Sequence, residues 1–321
     1  MSNQHRNENG GLHVVFGASG GAGSAIVREL VAQGKRVRAV TRSGSDLPAG
    51  VEAVRADAAN PAEALAACTG ATTIYHAVNV PYPEWGRALP PVMDGLIAAA
   101  AATGATLVYT DNLYAYGPVD RPMTEELPPA ATTHKGRLRA RLAETLMAAH
   151  RAGRVRGVIG RSSDYYGPGV RLSIAGERLF PAVLKGGRAM WAGSLDQPHS
   201  LSYIDDVARV LVTLAEREEA WGHIWHAPPA EALTGRQFIE LAFAEAGKPV
   251  KVGAVSPLLI RLAGLVNPMA RELCELIYEF DAPFVLDGSK YLRDFGGAPT
   301  PHRDALRATL AWYAEADPPR R

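Results

Sequence analysis

The feature that most constrains the fold is a strand–turn–helix pattern near the start of the chain. An apolar run ends at Phe16, the sequence GASGGAG follows at residues 17–23, and a helical pattern covers residues 22–31. This order brings a helix N-terminus and bare backbone N–H groups to the place where dinucleotide-binding folds hold a pyrophosphate. Glycines that serve only a tight turn are the simpler alternative, but the flanking strand and helix favour dinucleotide binding. The residues predicted to cradle the pyrophosphate are Gly17, Ser19, Gly20, Gly21, Ala22 and Gly23.

Apolar, strand-like runs alternate with helical stretches along the first half of the chain. Further strands are predicted at residues 36–41, 51–54, 72–77, 106–110 and 155–160. Such alternation predicts an α/β, Rossmann-like fold, a doubly wound parallel sheet with helices on both faces. The irregular pattern after Arg161 predicts a smaller, mainly helical substrate-binding and lid portion. We expect a dinucleotide-binding core over residues 11–165, to which residues 203–228 return, and substrate-binding and lid segments over residues 166–202 and 229–321.

Composition excludes several classes of function. The net charge is +1 with both signs interspersed, which gives no basic face for a nucleic acid. No run reaches the roughly 18 apolar residues of a membrane span, and the polar first ten residues lack the apolar core of a signal peptide. Cys68 and Cys274 lie far apart, as expected of two inert thiols in a reducing compartment. We therefore expect a cytoplasmic monomer or homodimer that acts on a small molecule, without nucleic-acid, membrane or metal partners.

Several motifs together resemble the extended, NAD-dependent epimerase/dehydratase-like branch of the short-chain dehydrogenase/reductase superfamily. Beside the glycine loop, these are Asp57 after the third strand, Tyr116-Gly117 after the fifth, Arg161 followed by YGPG at residues 166–169, and YIDDVA at residues 203–208. The resemblance covers nearly the whole chain and implies a nicotinamide dinucleotide cofactor, with Asp57 accepting from the adenine amino group. The other residues expected to contact the cofactor are Ala58, Ala77, Val78, Asn79, Thr110, Lys135 and Arg161. Chemistry varies widely among proteins of this fold, so the reaction must be argued from the site.

The residues after the second strand bear on the choice of dinucleotide. An acidic side chain at this position binds the ribose 2′-hydroxyl of NAD, whereas a basic one accommodates the 2′-phosphate of NADP. Arg42 has a planar guanidinium suited to phosphate, and Ser43 can add a hydroxyl. A solvated arginine at a strand end is the alternative. We therefore expect NADP(H) in preference to NAD(H).

The proton relay that the resemblance implies is missing. The superfamily places a Ser or Thr beyond the fifth strand and Tyr-x-x-x-Lys on the next helix, where the Tyr protonates the alkoxide and the Lys holds the nicotinamide ribose. Counting back from Tyr116 puts Asn112 at the hydroxyl position, and the helix places Lys135 at the tyrosine and Arg139 at the lysine. No tyrosine lies between Tyr116 and Tyr165. The candidate catalytic residues are therefore Asn112, Lys135 and Arg139. Two simpler alternatives remain: the Asn112 side chain stabilises only its own turn, and Lys135 is a solvated surface lysine.

Two classes of function follow from a dinucleotide site without its usual acid. The first is a reductase whose proton comes from water, from Lys135 or from the substrate; the second is a redox sensor or scaffold that binds the dinucleotide without turnover. A deep apolar pocket favours the enzyme. The predicted pocket residues are Tyr114, Tyr165, Tyr166 and Trp191. The apolar segment 256–280, split by Pro268, is either a lid over this pocket or an ordinary pair of core helices.

An aromatic pocket favours a large, flat substrate. In this respect the chain is similar to aromatic-polyketide ketoreductases, in particular the angucyclinone ketoreductases of the simocyclinone type. The resulting prediction is an NADPH-dependent ketoreductase in which a phenol beside the substrate ketone supplies the proton. An epimerase or dehydratase acting on a sugar nucleotide is the alternative within the same superfamily.

Overall fold

The computed structural model describes residues 11–42 and 48–316. The strands are β1 (Leu12–Phe16), β2 (Arg36–Thr41), β3 (Glu52–Arg55), β4 (Ala71–His76), β5 (Thr106–Asn112), β6 (Arg156–Ser162), β7 (Asp164–Tyr166), β8 (Ala189–Ala192), β9 (Pro198–His199), β10 (Leu201–Tyr203), β11 (Ile224–His226), β12 (Leu233–Thr234) and β13 (Val252–Val255). The helices are α1 (Gly21–Ala32), α2 (Pro61–Ala67), α3 (Trp85–Thr103), α4 (His134–Arg151), α5 (Phe180–Leu184), α6 (Ile204–Glu216), α7 (Gly235–Glu245), α8 (Pro257–Gly264), α9 (Pro268–Cys274), α10 (Tyr278–Asp281), α11 (Ser289–Phe295) and α12 (His302–Ala316).

A seven-stranded central sheet has the order β11-β6-β5-β4-β1-β2-β3. β1 pairs in parallel with both β2 and β4, with Phe16 opposite Val40 on one side and His76 on the other. The order therefore reverses between β1 and β4, which makes the carboxyl end of β1 the switch point where doubly wound sheets bind ligands. The predicted Rossmann-like α/β fold is confirmed, and each predicted strand of the first half begins and ends within two residues of an observed one.

The burial of its strands shows that the central sheet is covered on both faces. All five residues of β1 are buried, as expected of a strand inside a parallel sheet. On α1, the fully buried side chains Ile26, Val27 and Leu30 follow helical spacing and form its inner face. This packing fixes the direction in which the N-terminus of α1 leaves the glycine loop.

The chain divides into two compact units. The first unit comprises the described residues up to Asp111, together with Leu138–Arg161 and Ala208–Trp225. The second comprises Asn112–Arg137, Ser162–Val207 and the described residues from His226 onward. The second unit contains three two-stranded sheets, β10-β7, β12-β9 and β13-β8. Its core consists of aromatic and aliphatic side chains around Phe180, Phe238 and Tyr313.

The apolar segment 256–280 forms three short helices. Ser256 caps α8 by accepting from Leu259 N, and α9 begins at Pro268, as the missing N–H of proline favours. The large side chains of this segment that are exposed are Leu258, Leu259, Leu262, Leu265, Val266 and Leu273. The interpretation of α8 as an ordinary core helix is therefore wrong, because core helices bury such residues, and the lid interpretation stays a prediction. Among residues 11–42 and 48–316, no helix is both long enough and apolar enough to cross a membrane.

Candidate functional site

The glycine loop has the close approaches that a dinucleotide cradle needs. Gly17 has a φ of +80°, and a Cβ there would lie 2.4 Å from the carbonyl oxygen of Ala77. A Cβ on Gly23 would lie 2.1 Å from the carbonyl oxygen of Gly17. Gly20 caps α1 with no side-chain hydrogen bond, so the terminus offers its first-turn N–H groups to a ligand. The loop thus fits the pyrophosphate of a dinucleotide, with Ser19 exposed beside it.

The residues predicted to hold the adenosine half lie at the ends of β2 and β3. Arg42 follows β2 directly and is exposed, whereas Ser43 lies outside the described residues. Asp57 is exposed beyond β3, and its Oδ1 accepts from Ala59 N at 3.0 Å in a local turn. Ala58 is buried. Their contacts with a cofactor stay predictions.

The segment after β4 lies directly against the glycine loop. Ala77 N donates to Phe16 O at 3.0 Å, and Gly17 leaves no room for a side chain beside Ala77 and Val78. The structure therefore brings together two stretches that the sequence assigned separately to the cofactor. Asn79 is exposed at the end of this segment.

Lys135 is ion-paired at the start of α4. Its side chain is 4% exposed, and its Nζ donates to Glu272 Oε2 and lies 3.4 Å from Glu275 Oε2. The Glu275 carboxylate also accepts from the backbone N–H of Lys135. The alternative of a solvated lysine is therefore wrong, because two carboxylates from α9 and the residue after it replace the water.

Arg139 and Arg161 flank a buried carboxylate in the first unit. Arg161 Nε donates to Asp111 Oδ2 at 2.8 Å, and Arg139 Nη1 lies 3.6 Å from Asp111 Oδ1. The same Arg139 nitrogen donates to the Tyr109 hydroxyl at 2.6 Å. All three charged side chains are at most 9% exposed. Arg139 thus bonds to protein groups, whereas its place at the lysine position of the expected relay predicted a contact with the nicotinamide ribose. A direct contact of Arg139 with a cofactor stays a prediction.

Asn112 and the nearby tyrosines determine which proton donors the β5 exit offers. Asn112 Oδ1 accepts from Tyr114 N at 3.2 Å, so the side chain ties its own turn and its amide N–H₂ remains its donor group. The Tyr116 hydroxyl pairs with His226 Nε2 at 2.7 Å, and the Tyr109 hydroxyl with Arg139. Burial raises the pKa of Tyr109 far above its ordinary value. Neither of these two tyrosines replaces the missing acid.

The predicted pocket aromatics have different settings within the second unit. Tyr166 and Trp191 are 1% and 2% exposed and pack in the core of this unit. The Tyr166 hydroxyl bonds to His302 Nδ1 at 3.1 Å. Tyr114 is buried, and Tyr165 is half-buried. Core packing explains Tyr166 and Trp191 without a substrate, and a pocket role for the four residues stays a prediction.

A pair formed by a buried histidine and a half-buried carboxylate was missed by the sequence reasoning. His199 Nε2 lies 2.9 Å from Asp164 Oδ2, and His199 Nδ1 lies 3.1 Å from the carbonyl oxygen of Glu279. Because Nδ1 must donate to that carbonyl, the Nε2–carboxylate bond needs one further proton on either partner. Burial, and secondly the Asp164 charge, hold the pKa of the Glu279 carboxyl well above its usual range. The available signal was an acidic residue two positions after the last residue of the buried strand β6.

Comparisons with known proteins agree with this geometry. The family model described as "NAD dependent epimerase/dehydratase family" matches residues 13–226. The dTDP-6-deoxy-L-talose 4-dehydrogenase (NAD(P)(+)) of Kitasatospora kifunensis is 29% identical over 260 residues, which cover 75% of this chain and 81% of that protein. The UDP-glucuronic acid 4-epimerase of Bacillus cereus, solved with UDP-glucuronic acid and NAD, superposes with a TM-score of 0.77 at 18% identity, covering 95% of this chain and 100% of the other. The UDP-glucose 4-epimerase of Thermus thermophilus, solved with NAD, gives 0.76 at 19% identity with the same coverage of 95% and 100%.

These comparisons correct the cofactor prediction. The expected preference for NADP(H) is wrong: the family is described as NAD dependent, both solved neighbours hold NAD, and the talose dehydrogenase uses NAD(P)(+). The physical reason lies in Arg42, whose side chain is exposed. An exposed guanidinium can stack on the adenine that both dinucleotides carry, so its charge alone does not select the 2′-phosphate.

The family assignment rests on two agreeing observations. The matched range, residues 13–226, covers two thirds of the chain and spans the central sheet from β1 to β11. Within that range, an added Cβ on Gly17 or Gly23 would meet backbone carbonyl oxygens at 2.4 Å and 2.1 Å, as in the tight glycine turns of dinucleotide-binding folds. The predicted resemblance to the extended short-chain dehydrogenases/reductases is thereby confirmed, and the chain belongs to the NAD dependent epimerase/dehydratase family.

Proposed function

We propose that the chain is an NAD(H)-dependent oxidoreductase that reduces a ketone to a secondary alcohol on a small molecule. Residues 11–165 and 203–228 are proposed to hold the dinucleotide. Residues 166–202 and 229–321 are proposed to hold the substrate. The observation that carries the proposal is an intact glycine loop in a chain with no tyrosine between Tyr116 and Tyr165.

The missing tyrosine favours simple reduction over epimerisation or dehydration. An epimerase must take a proton from a hydroxyl and later return it, and a dehydratase must also move a proton at carbon, so both need a resident base. Reduction of a ketone needs only one proton, delivered to the oxygen as negative charge grows there. Bound NADH would supply the hydride.

Two side chains of the second unit are proposed to donate to the oxygen of the substrate ketone as negative charge grows on it. Asn112 keeps its amide donor after its carbonyl oxygen has bonded to Tyr114 N, and one such donor to an oxyanion contributes about 10²–10³ in rate. Lys135 carries ammonium protons, and Glu272 and Glu275 hold its side chain in one position. We propose Asn112 as the oxyanion donor and Lys135 as the proton donor.

A nucleotide-linked keto sugar is the first substrate class to test. Supporting this class are the names of the talose dehydrogenase relative and of the two epimerases of the same fold. A ketone on an aromatic polyketide is the second candidate. It is favoured by one specific observation, the absence of a tyrosine acid, because a phenol beside the ketone would bring its own proton donor.

The experiment uses the full chain with NADH for the ketones, NAD⁺ for a sugar nucleotide whose alcohol must first be oxidised, and a set of four substrates. They are a dTDP-4-keto-6-deoxyhexose, an aromatic ketone with a neighbouring free phenol, the same ketone O-methylated, and UDP-glucose. Oxidation of NADH is followed by absorbance, and products are identified by mass. We expect reduction of a ketone with one NADH consumed for each alcohol formed.

Each outcome has a distinct meaning. Interconversion of UDP-sugar epimers in the presence of NAD⁺, without net formation of NADH, would replace the reductase by an epimerase. Reduction of the free phenol but not of its methyl ether would establish the second candidate. Binding of NADH without turnover on any substrate would favour the redox sensor. A Lys135→Met variant that turns over as fast as the native chain would remove Lys135 as the donor.

A further inference from the structure

Trp85, the first residue of α3, connects α3 to the segment beside the glycine loop. Its side chain is 3% exposed, and its indole N–H donates to the carbonyl oxygen of Val80 at 2.9 Å. Val80 ends the segment that begins at Ala77, against which Gly17 packs without room for a Cβ. A displacement of Val80 is therefore passed to the backbone that borders the dinucleotide loop.

Arg139 holds Trp85 from α4. Its guanidinium carbon lies 4.4 Å from the centroid of the Trp85 ring, within the range of a cation–π contact. The same guanidinium donates to Tyr109 and faces Asp111, whose other oxygen is bonded to Arg161. Three buried side chains of the first unit thus fix the position of the Arg139 plane.

These contacts form a continuous series within the first unit. It runs from Asp111 at the end of β5 through Arg139 and Trp85 to Val80 and the glycine loop. Each member is buried or lies in the backbone of the segment, so each contact acts in a low-dielectric setting where charge-assisted bonds are strong. No member of the series needs to touch the cofactor for the series to affect its binding.

We propose that Arg139 and Trp85 are positioning residues for dinucleotide binding: together they form a brace that holds the segment from Ala77 to Val80 against the glycine loop. The inference rests on the proposed use of NAD(H). In place of a direct contact with the nicotinamide ribose, Arg139 acts through the indole ring and the Val80 carbonyl. Its role is therefore to hold the segment from Ala77 to Val80 in position before the dinucleotide binds, rather than to contact the dinucleotide.

Two conservative variants test the brace from its two ends. Trp85→Phe keeps a ring under the guanidinium but removes the N–H bond to Val80. Arg139→Lys keeps the charge but removes the planar group that stacks on Trp85. Arg141→Gln, at an exposed position of the same helix, is the matched control. For each protein we would measure the Kd for NADH by calorimetry, the unfolding transition in urea, and the amide exchange of Val78, Asn79 and Val80 without cofactor.

The brace predicts that Trp85→Phe raises the Kd between about twofold and tenfold, the range for one hydrogen bond. Amide exchange at residues 78–80 should accelerate in both brace variants and stay unchanged in Arg141→Gln. A fall in stability with unchanged Kd and unchanged exchange at 78–80 would overturn the inference, because it would show a purely structural role. If the native chain fails to bind NADH, the proposed function fails, whereas the exchange measurement still decides the brace. Should Trp85→Phe not fold, Arg139→Lys gives the same three measurements.

Discussion

Replacing Gly17 by alanine tests the geometry on which the dinucleotide site depends. The residue has a φ of +80°, and an added Cβ would lie 2.4 Å from the Ala77 carbonyl oxygen and 2.8 Å from the Val78 Cα. Both neighbours are backbone atoms of a segment bonded to the end of β1, so neither can rotate away as a side chain does. The variant therefore meets a conformational cost and a steric cost together.

The magnitudes of the conformational cost and the steric cost can be estimated separately. A left-handed conformation at a residue with a Cβ costs about 1–2 kcal/mol, and forcing an extra carbon into a packed site costs about 1–3 kcal/mol. We expect Gly17→Ala to lower the free energy of unfolding by about 2–5 kcal/mol, measured by urea denaturation. The Kd for NADH should rise at the same time, because the displaced carbonyl borders the glycine loop.

Gly34 provides the matched control. It has a φ of +68°, but nothing lies within 4 Å of its added Cβ. Gly34→Ala should therefore show only the conformational cost, about 1–2 kcal/mol, with no change in the Kd for NADH. Equal losses of stability in the two variants would refute the steric argument, and an unchanged Kd in Gly17→Ala would refute the place of Gly17 in the cofactor site.

Further predictions concern single side chains and pH. Lys135→Met should lower turnover by about 10²–10⁴ with the Kd for NADH unchanged; a raised Kd would show that the lysine holds the ribose. Tyr166→Phe should leave the buried Nδ1 of His302 without a donor and lower the free energy of unfolding by about 1–3 kcal/mol, while an increase in substrate KM would restore the pocket role. Burial lowers the pKa of His13 to about 4 and that of His76 to about 3, below the ordinary 6.5. Because the unfolded chain then takes up protons first, each histidine should lower the free energy of unfolding by about 2 kcal/mol between pH 7 and pH 5. Urea denaturation should therefore show that the native chain loses about 2 kcal/mol more over this range than His13→Gln does.

The secondary structure of the first half could be predicted because its signals are local. The run before Phe16 is apolar throughout, and β1 is buried throughout. The helix predicted over residues 22–31 is α1, at Gly21–Ala32. Strand–turn–helix order and hydrophobic periodicity involve neighbours in sequence, so a single chain carries them.

The partners of the candidate catalytic residues could not be predicted because they are distant in sequence. The sequence placed Lys135 and Arg139 at the tyrosine and lysine positions of the expected proton relay. In the structure, Lys135 pairs with Glu272, which lies 137 residues away, and Arg139 bonds to Tyr109, 30 residues away. Composition likewise identified Trp191 as a large aromatic residue but could not distinguish a core position from a pocket wall. The one local indication that Arg139 and Arg161 are buried beside a carboxylate was a charged residue, Asp111, inside a buried strand.

The strand order also has a consequence for how the chain folds during its synthesis. The first five strands to leave the ribosome, β1 to β5, occupy contiguous positions in the sheet, whereas β6 and β11 extend it from the β5 side. Growth can therefore proceed outward from a central piece without inserting a late strand between early ones. Translation from Asn112 to His226, the last residues of β5 and β11, takes on the order of ten seconds. Throughout that interval the open edge of β5, and later that of β6, is exposed to pairing with other chains, which makes it the place where a chaperone would first be needed.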